Sequence, residues 1–158
     1  MRERNKLLKE QIRDAHWYRA IELQMAQTGI EIHTARMRAL DLIQNAQGTA
    51  ATEFPGAQLT LEQSEGDIPT LVDDLKSALE ESRLRDMAAG RTLVGPHRAD
   101  MIGVFQRKGV LAKDCSTGEQ KALLISMILA NARALKEQIG TAPLVLLDEV
   151  SAHLDNQR

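Results

Sequence analysis

The chain has a single cysteine, Cys115, so it can close no internal disulfide, and a reducing compartment suits it. Aromatic residues make up only 3%, which argues against a single-strand-binding surface built from stacking platforms. No basic start is followed by an apolar stretch, so no secretory signal is read. The longest apolar run, Ala122 to Ala130, is broken by Ser126 and is too short to span a bilayer. These absences predict a cytoplasmic protein without a membrane partner. His16, His33, His97 and His153 are scattered and Cys115 has no cysteine partner, so no zinc-type ligand set is read. None of the ten glycines is followed by lysine, so the phosphate-cradling loop G-x-x-x-x-G-K-[ST] does not occur.

What is present fits a soluble globular chain. Hydrophobic residues are 43% and charged residues 27% of 158, enough for one ordinary domain or two small lobes. The formal net charge of −2 conceals an uneven distribution. Residues 1–48 carry eight Lys/Arg against six Asp/Glu and 91–115 five against two, while 49–90 carry three against nine. A local basic stretch can meet phosphates, although ordinary solvated faces produce the same counts.

Residues 3–47 contain no proline and are rich in helix formers, which predicts helix, with Gly29 weakening its middle. Ile12, Ala15, the Arg19 stem, Leu23 and Ala26 share one side. Ile21, Met25, Ile32, Ala35, Ala39, Leu42 and Ile43 extend an apolar stripe without sustained heptads. As one helix it would reach about 60 Å, so it either folds back as a hairpin or projects as an arm. Gln58 to Glu62 alternates like a short strand. A second helix is expected from Pro69 to Gly90, with Leu71, Leu75, Ala78, Leu79, Ser82 and Met87 inward. Thr92–Val94 and Met101–Phe105 read as strands around the Gly95-Pro96 turn. A loop from Arg107 to Cys115 then leads into a helix from Thr117 to Gln138. Leu144 to Leu147 reads as a strand covered on both faces.

Two segments carry chemistry. In Pro143-Leu144-Val145-Leu146-Leu147-Asp148-Glu149, two acids follow four apolar residues, a costly place for charge unless the site uses it. At a phosphate-hydrolysing centre the first acid can hold Mg²⁺ through water and the second can deprotonate the attacking water. A strand that simply ends in solvated acids is the plain alternative. In Cys115-Ser116-Thr117-Gly118-Glu119-Gln120-Lys121, Ser116 and Glu119 form a capping-box pattern that starts a helix. Gly118 in the first turn suggests that something approaches the backbone closely, and a helix N-terminus attracts anions. A plain, well-capped helix is the alternative there.

Taken in order, Ser-x-Gly-Glu-Gln, an apolar helix, a strand ending in Asp-Glu and then Ser151-Ala152-His153-Leu154-Asp155 resemble the C-terminal run of an ABC-type ATPase. Ser116 to Gln120 resembles the signature motif, Leu144 to Glu149 Walker B, and Ser151 to Asp155 the D-loop. Cys115, Thr117 and His153 depart from the transporter pattern. Within the superfamily, Thr92-Leu93-Val94-Gly95-Pro96-His97-Arg98, Leu84-Arg85-Asp86 and Arg4-Asn5-Lys6-Leu7-Leu8-Lys9 resemble the RecF family, although Ala99 stands where that family usually has an acid. The resemblance spans nearly the whole chain and is least specific over 49–68.

The resemblance implies an α/β fold: a partial ABC-type, P-loop NTPase-like lobe at 91–158 and an inserted, mainly helical lobe or arm at 1–90. It implies an ATP-dependent DNA-binding protein of recombinational repair and the SOS response, and the missing phosphate loop makes this chain a fragment of it. In an ATP-bound homodimer, Ser116, Thr117, Gly118, Glu119, Gln120 and Asp155 would serve the nucleotide. Asp148 would hold Mg²⁺, through water, and Glu149 would be the general base. DNA at single-strand gaps or junctions with duplex, RecR and RecO are the implied partners. The longer protein would be a weak DNA-dependent ATPase and the fragment alone inactive. His97 and Arg98 would face nucleotide or DNA, or form a structural turn. Three rivals stay open: an SMC-type chromosome ATPase fragment, a transporter ATPase, and a non-catalytic helical interaction module.

Overall fold

The structure is a computed structural model that describes residues 1–48, 54–63 and 65–146. The proline-free N-terminal stretch forms two helices, not one. Helix α1 (Arg2–Lys9) stops where Gln11 takes a left-handed φ of 55°. The amides of Gln11 and Ile12 bond back to the carbonyls of Leu8 and Leu7 at 3.2 and 3.1 Å, closing the turn. Asp14 Oδ1 then accepts from the His16 amide at 2.8 Å, and α2 (Ala15–Gly48) runs on through Gly29 without interruption. The stretch 3–47 is thus not a single helix: it turns at residues 10–14, and Arg4 of α1 returns to Glu22 of α2.

Two compact units divide the chain. The first combines Met1–Met37 with Leu61–Asp100, and the second Arg38–Thr60 with the chain from Met101 onward. In the first, α3 (Val72–Glu81) and α4 (Arg83–Ala89) follow one another through Ser82, and Gly90 ends α4 with φ 63°. Its core is Ala26 of α2 with Leu75 and Leu79 of α3, joined by Met25, Ile30, Val72 and Val94. The helix starts at Val72, later than the expected Pro69, and Leu71 is exposed. Its acids Asp73 and Asp74 occupy the first turn, where the helix dipole favours them.

The buried face of α2 here is Tyr18, Glu22, Ala26 and Gly29, not the side through Arg19 and Leu23, both of which are exposed. The reason is electrostatic: Glu22 is buried because two arginines neutralise it. Charge therefore does not mark the solvent face. Gly29 does not break α2 and is a point of close contact. A Cβ there would lie 2.7 Å from Leu75 Cδ2 and 3.4 Å from Pro96 Cδ. Residues 92–94 form no strand, because the Thr92 and Leu93 amides are taken by side chains, Asn5 Oδ1 and Asp86 Oδ1.

A three-stranded sheet runs in the order β1 (Ala57–Gln63), β2 (Ala99–Phe105), β3 (Val110–Leu111). Strands β2 and β3 are antiparallel, with Val104 opposite Leu111 and Phe105 opposite Val110. Strand β1 lies at the sheet's edge, and two glutamines of α2 pair with its backbone. Gln47 accepts from the Ala57 amide and donates to its carbonyl, at 2.8 and 3.2 Å, while Gln44 accepts from the Leu59 amide at 2.8 Å. Such cover blunts an edge that could otherwise recruit another strand. Helix α5 (Thr117–Ile139) packs Ala130 and Ala134 on Ala46, flanked by Leu42 and Ile43. The fold is thus mixed α and β, mostly helical, with a small sheet.

Leu144 to Leu146 do not form the expected covered strand: Leu144 and Leu146 are 88% and 86% exposed. A strand apolar on both sides needs a paired neighbour and covering layers. The sheet order among the described residues offers it no position. No helix among the described residues is long and apolar enough to cross a membrane.

Candidate functional site

Helix α5 begins at a reciprocal cap. Ser116 Oγ accepts from the Glu119 amide at 3.4 Å, and Glu119 Oε2 accepts from the Ser116 amide at 3.1 Å and from its hydroxyl at 3.0 Å. The other carboxylate oxygen, Oε1, accepts from Lys108 Nζ. Lys108 sits in the β2–β3 turn, which Gly109 closes with φ 65° and a 2.8 Å hydrogen bond from its amide to the Phe105 carbonyl. Its ammonium lies 5.8 Å from the Phe105 ring centre. Lys108 first, and the Ser116 amide and hydroxyl next, push the Glu119 carboxyl down to about 2. The Glu119 hydrogen bond in turn raises the Lys108 pKa.

Gln120 turns back toward the preceding loop and donates to the carbonyls of Lys113 and Cys115, both at 3.0 Å. Thr117 and Gly118 are exposed, and nothing lies within 4 Å of where a Gly118 Cβ would be. The Gly118 side of the first turn of α5 is therefore uncrowded, while the Ser116 amide and hydroxyl at its tip are held by the Glu119 carboxylate. Ser116 to Gln120 are thus gathered on one tip. Asp148, Glu149 and Asp155 lie outside the described residues, as do Leu147 and the rest of the Ser151 to Asp155 segment. Among the described residues no group of three or more His, Cys, Asp or Glu could hold a metal ion.

The sequence reading missed Lys108, and it missed how the family-like segments of the first unit are used. Arg4 is completely buried. Its guanidinium donates to Glu22 Oε1 at 3.0 Å, Asp86 Oδ2 at 2.6 Å, Thr92 Oγ1 at 2.8 Å and the Leu79 carbonyl at 2.7 Å. Arg83 donates to both Glu22 oxygens, and this bonding is the main reason its pKa is raised. It also stacks 5.2 Å over the buried Tyr18 ring, whose hydroxyl pKa rises chiefly through burial. Asn5 Oδ1 accepts from the Thr92 amide and hydroxyl. The signal available was Arg4 standing one helical turn before Leu8, on the same face.

This network fixes the segment that ends in Gly95-Pro96-His97-Arg98. His97 Nε2 lies 3.1 Å from the Thr92 carbonyl, and Arg36 of α2 donates to the Pro96 carbonyl at 2.6 Å. Pro96 and His97 line a groove of about 430 Å³ with Met25 and Leu75.

Curated relatives align along the whole chain. It is 46% identical over 165 residues to the DNA replication and repair protein RecF of Rhizobium johnstonii, 47% over 167 to that of Rhizobium rhizogenes and 46% over 166 to that of Brucella abortus. The chain is a RecF homologue. It covers 100% of itself in these alignments but only 43–44% of the RecF relatives' length. No protein-family model matches it. Two solved structures of the recombination mediator protein RecF in the RecFOR pathway, one RecF-ATP and one RecF-ATPrS, superpose on 98% of the chain and share its fold. Their TM-scores are 0.80 and 0.81, at 23% and 24% identity and 44% coverage of those chains.

Proposed function

We propose that this chain supplies the signature helix and the paired acids Asp148 and Glu149 of a RecF-like, ATP-dependent DNA-binding protein of recombinational repair and the SOS response. The observation that carries this reading is a capped α5 tip, uncrowded beside Gly118, in a chain 46% identical to RecF over 44% of the RecF length. In the same reading, residues 91–158 are part of an ABC-type ATPase lobe and 1–90 an inserted helical lobe, in a cytoplasmic protein. Two copies pair on ATP, each presenting its tip to nucleotide gripped by the other. Ser116 Oγ and the Gly118 amide face the terminal phosphate and stabilise its charge, with Thr117, Glu119 and Gln120 shaping the turn. The space beside Gly118 leaves room for such a phosphate, which displaces the Glu119 carboxylate from the Ser116 hydroxyl. Asp148 supports Mg²⁺, which neutralises phosphate charge; Glu149 is the general base, and Asp155 couples the two sites across the pair.

DNA at gaps or junctions is held through its phosphates, so binding weakens with salt. RecO and RecR are the partners in this reading, in keeping with the RecFOR pathway named for the structural relatives. The test is Glu149→Gln in the RecF-length protein containing this chain. ATP binding is retained and steady-state hydrolysis is lost; hydrolysis at the normal rate removes Glu149 from the mechanism.

A further inference from the structure

We propose that Lys108 is a positioning residue for phosphate docking at the α5 tip: held against Glu119, it cancels the carboxylate that completes the capping box and keeps the tip receptive to an anion. The inference rests on the nucleotide reading above and adds to it a residue from a separate element. A capping box places an acid or a glutamine at the third helical position. Here the acid is Glu119, whose Oε2 lies 3.1 Å from the Ser116 amide and 3.0 Å from its hydroxyl. Those are groups an incoming phosphate needs. A lone carboxylate stabilises the helix through the dipole, and for the same reason competes with any second anion for that dipole.

The β2–β3 turn supplies the remedy. Lys108 takes the other oxygen, Oε1, so the carboxylate is divided between a cation on one side and the cap on the other. When phosphate claims the Ser116 hydroxyl, Glu119 stays tethered through Oε1 and its charge stays balanced. The position of the ammonium is set by the turn, through the left-handed Gly109 and the Phe105 ring beneath it. A purely structural role accounts poorly for this pair, because an exposed lysine–carboxylate contact adds little to folding stability. Its effect is on what can approach.

The experiment titrates ATP into the RecF-length protein containing this chain and reads the dimer fraction by sedimentation velocity. Lys108→Met weakens ATP-driven pairing about tenfold, with a melting temperature lowered by no more than a few degrees. Lys108→Met combined with Glu119→Gln restores pairing to within about threefold, since glutamine keeps the box without its charge. A structural role for the lysine predicts no such rescue. If the unmodified protein does not pair on ATP, the nucleotide reading itself fails. If it pairs and Lys108→Met pairs equally well, or the double variant is no better than the single one, the role of Lys108 is overturned while that reading stands.

Discussion

Arg4 shows how a single side chain can organise a unit. It meets two carboxylates, a hydroxyl and a carbonyl, all within 3.0 Å and away from water. Burying such charges is unfavourable in itself, but removing one partner is worse, because the rest stay buried and uncompensated. Arg4→Met therefore lowers the unfolding free energy by about 3–5 kcal/mol, readable from urea denaturation. A loss under about 1 kcal/mol would mean that water reaches Glu22 and Asp86. Gly29 tests the opposite kind of constraint. Alanine gains about 1 kcal/mol of helix propensity, but its Cβ meets the fully packed Leu75 at 2.7 Å. Overpacking of that kind costs roughly 1–3 kcal/mol, so Gly29→Ala is expected to lower the melting temperature.

Among the elements, α5 shows local chemistry read most directly. Its cap pattern, start and length follow from neighbours in sequence, and Ser116 and Glu119 pair as their spacing predicts. The Glu119 carboxyl is held down to about 2, below its usual 4.5, by Lys108 and then by Ser116. A depressed acid stabilises the folded state fully above its unfolded pKa. Its cap contribution is therefore complete above pH 4.5 and fades as pH falls toward about 2. Carboxyl NMR of Glu119 should give a midpoint near the lower value, and Lys108→Met should move it upward. A midpoint unmoved by that change would leave the cap as the sole cause. What the sequence concealed depended on distance. The Arg4 network joins residues up to 88 apart, and nothing local distinguishes its members from solvated charges. The break after α1 came from a left-handed Gln11, a residue type with no special preference for that backbone. The exposed Leu144 shows the same limit, since an apolar run states what a strand needs and not whether partners are at hand.

At the scale of the whole molecule, the chain spans 44% of the length of the RecF relatives it matches, and no glycine in it precedes a lysine. On the proposed reading its α5 tip touches phosphate, while its sequence has no glycine–lysine loop to cradle one. The chain by itself is expected to show ATP turnover indistinguishable from buffer, measured by phosphate release. Sustained turnover would require a phosphate grip with a different chemistry.

The first unit closes around partners that are synthesised far apart. Arg4 must wait for Asp86, 82 residues later, before both of its carboxylates exist. At about 5–20 residues per second of translation, that interval is roughly 4 to 16 seconds. For most of it Arg4 has only Glu22 to pair with, while Asp86 and Thr92 are still to come. The charged interior of the first unit is therefore completed late, and burying Arg4 before Asp86 emerges would leave it short of one of its two carboxylates.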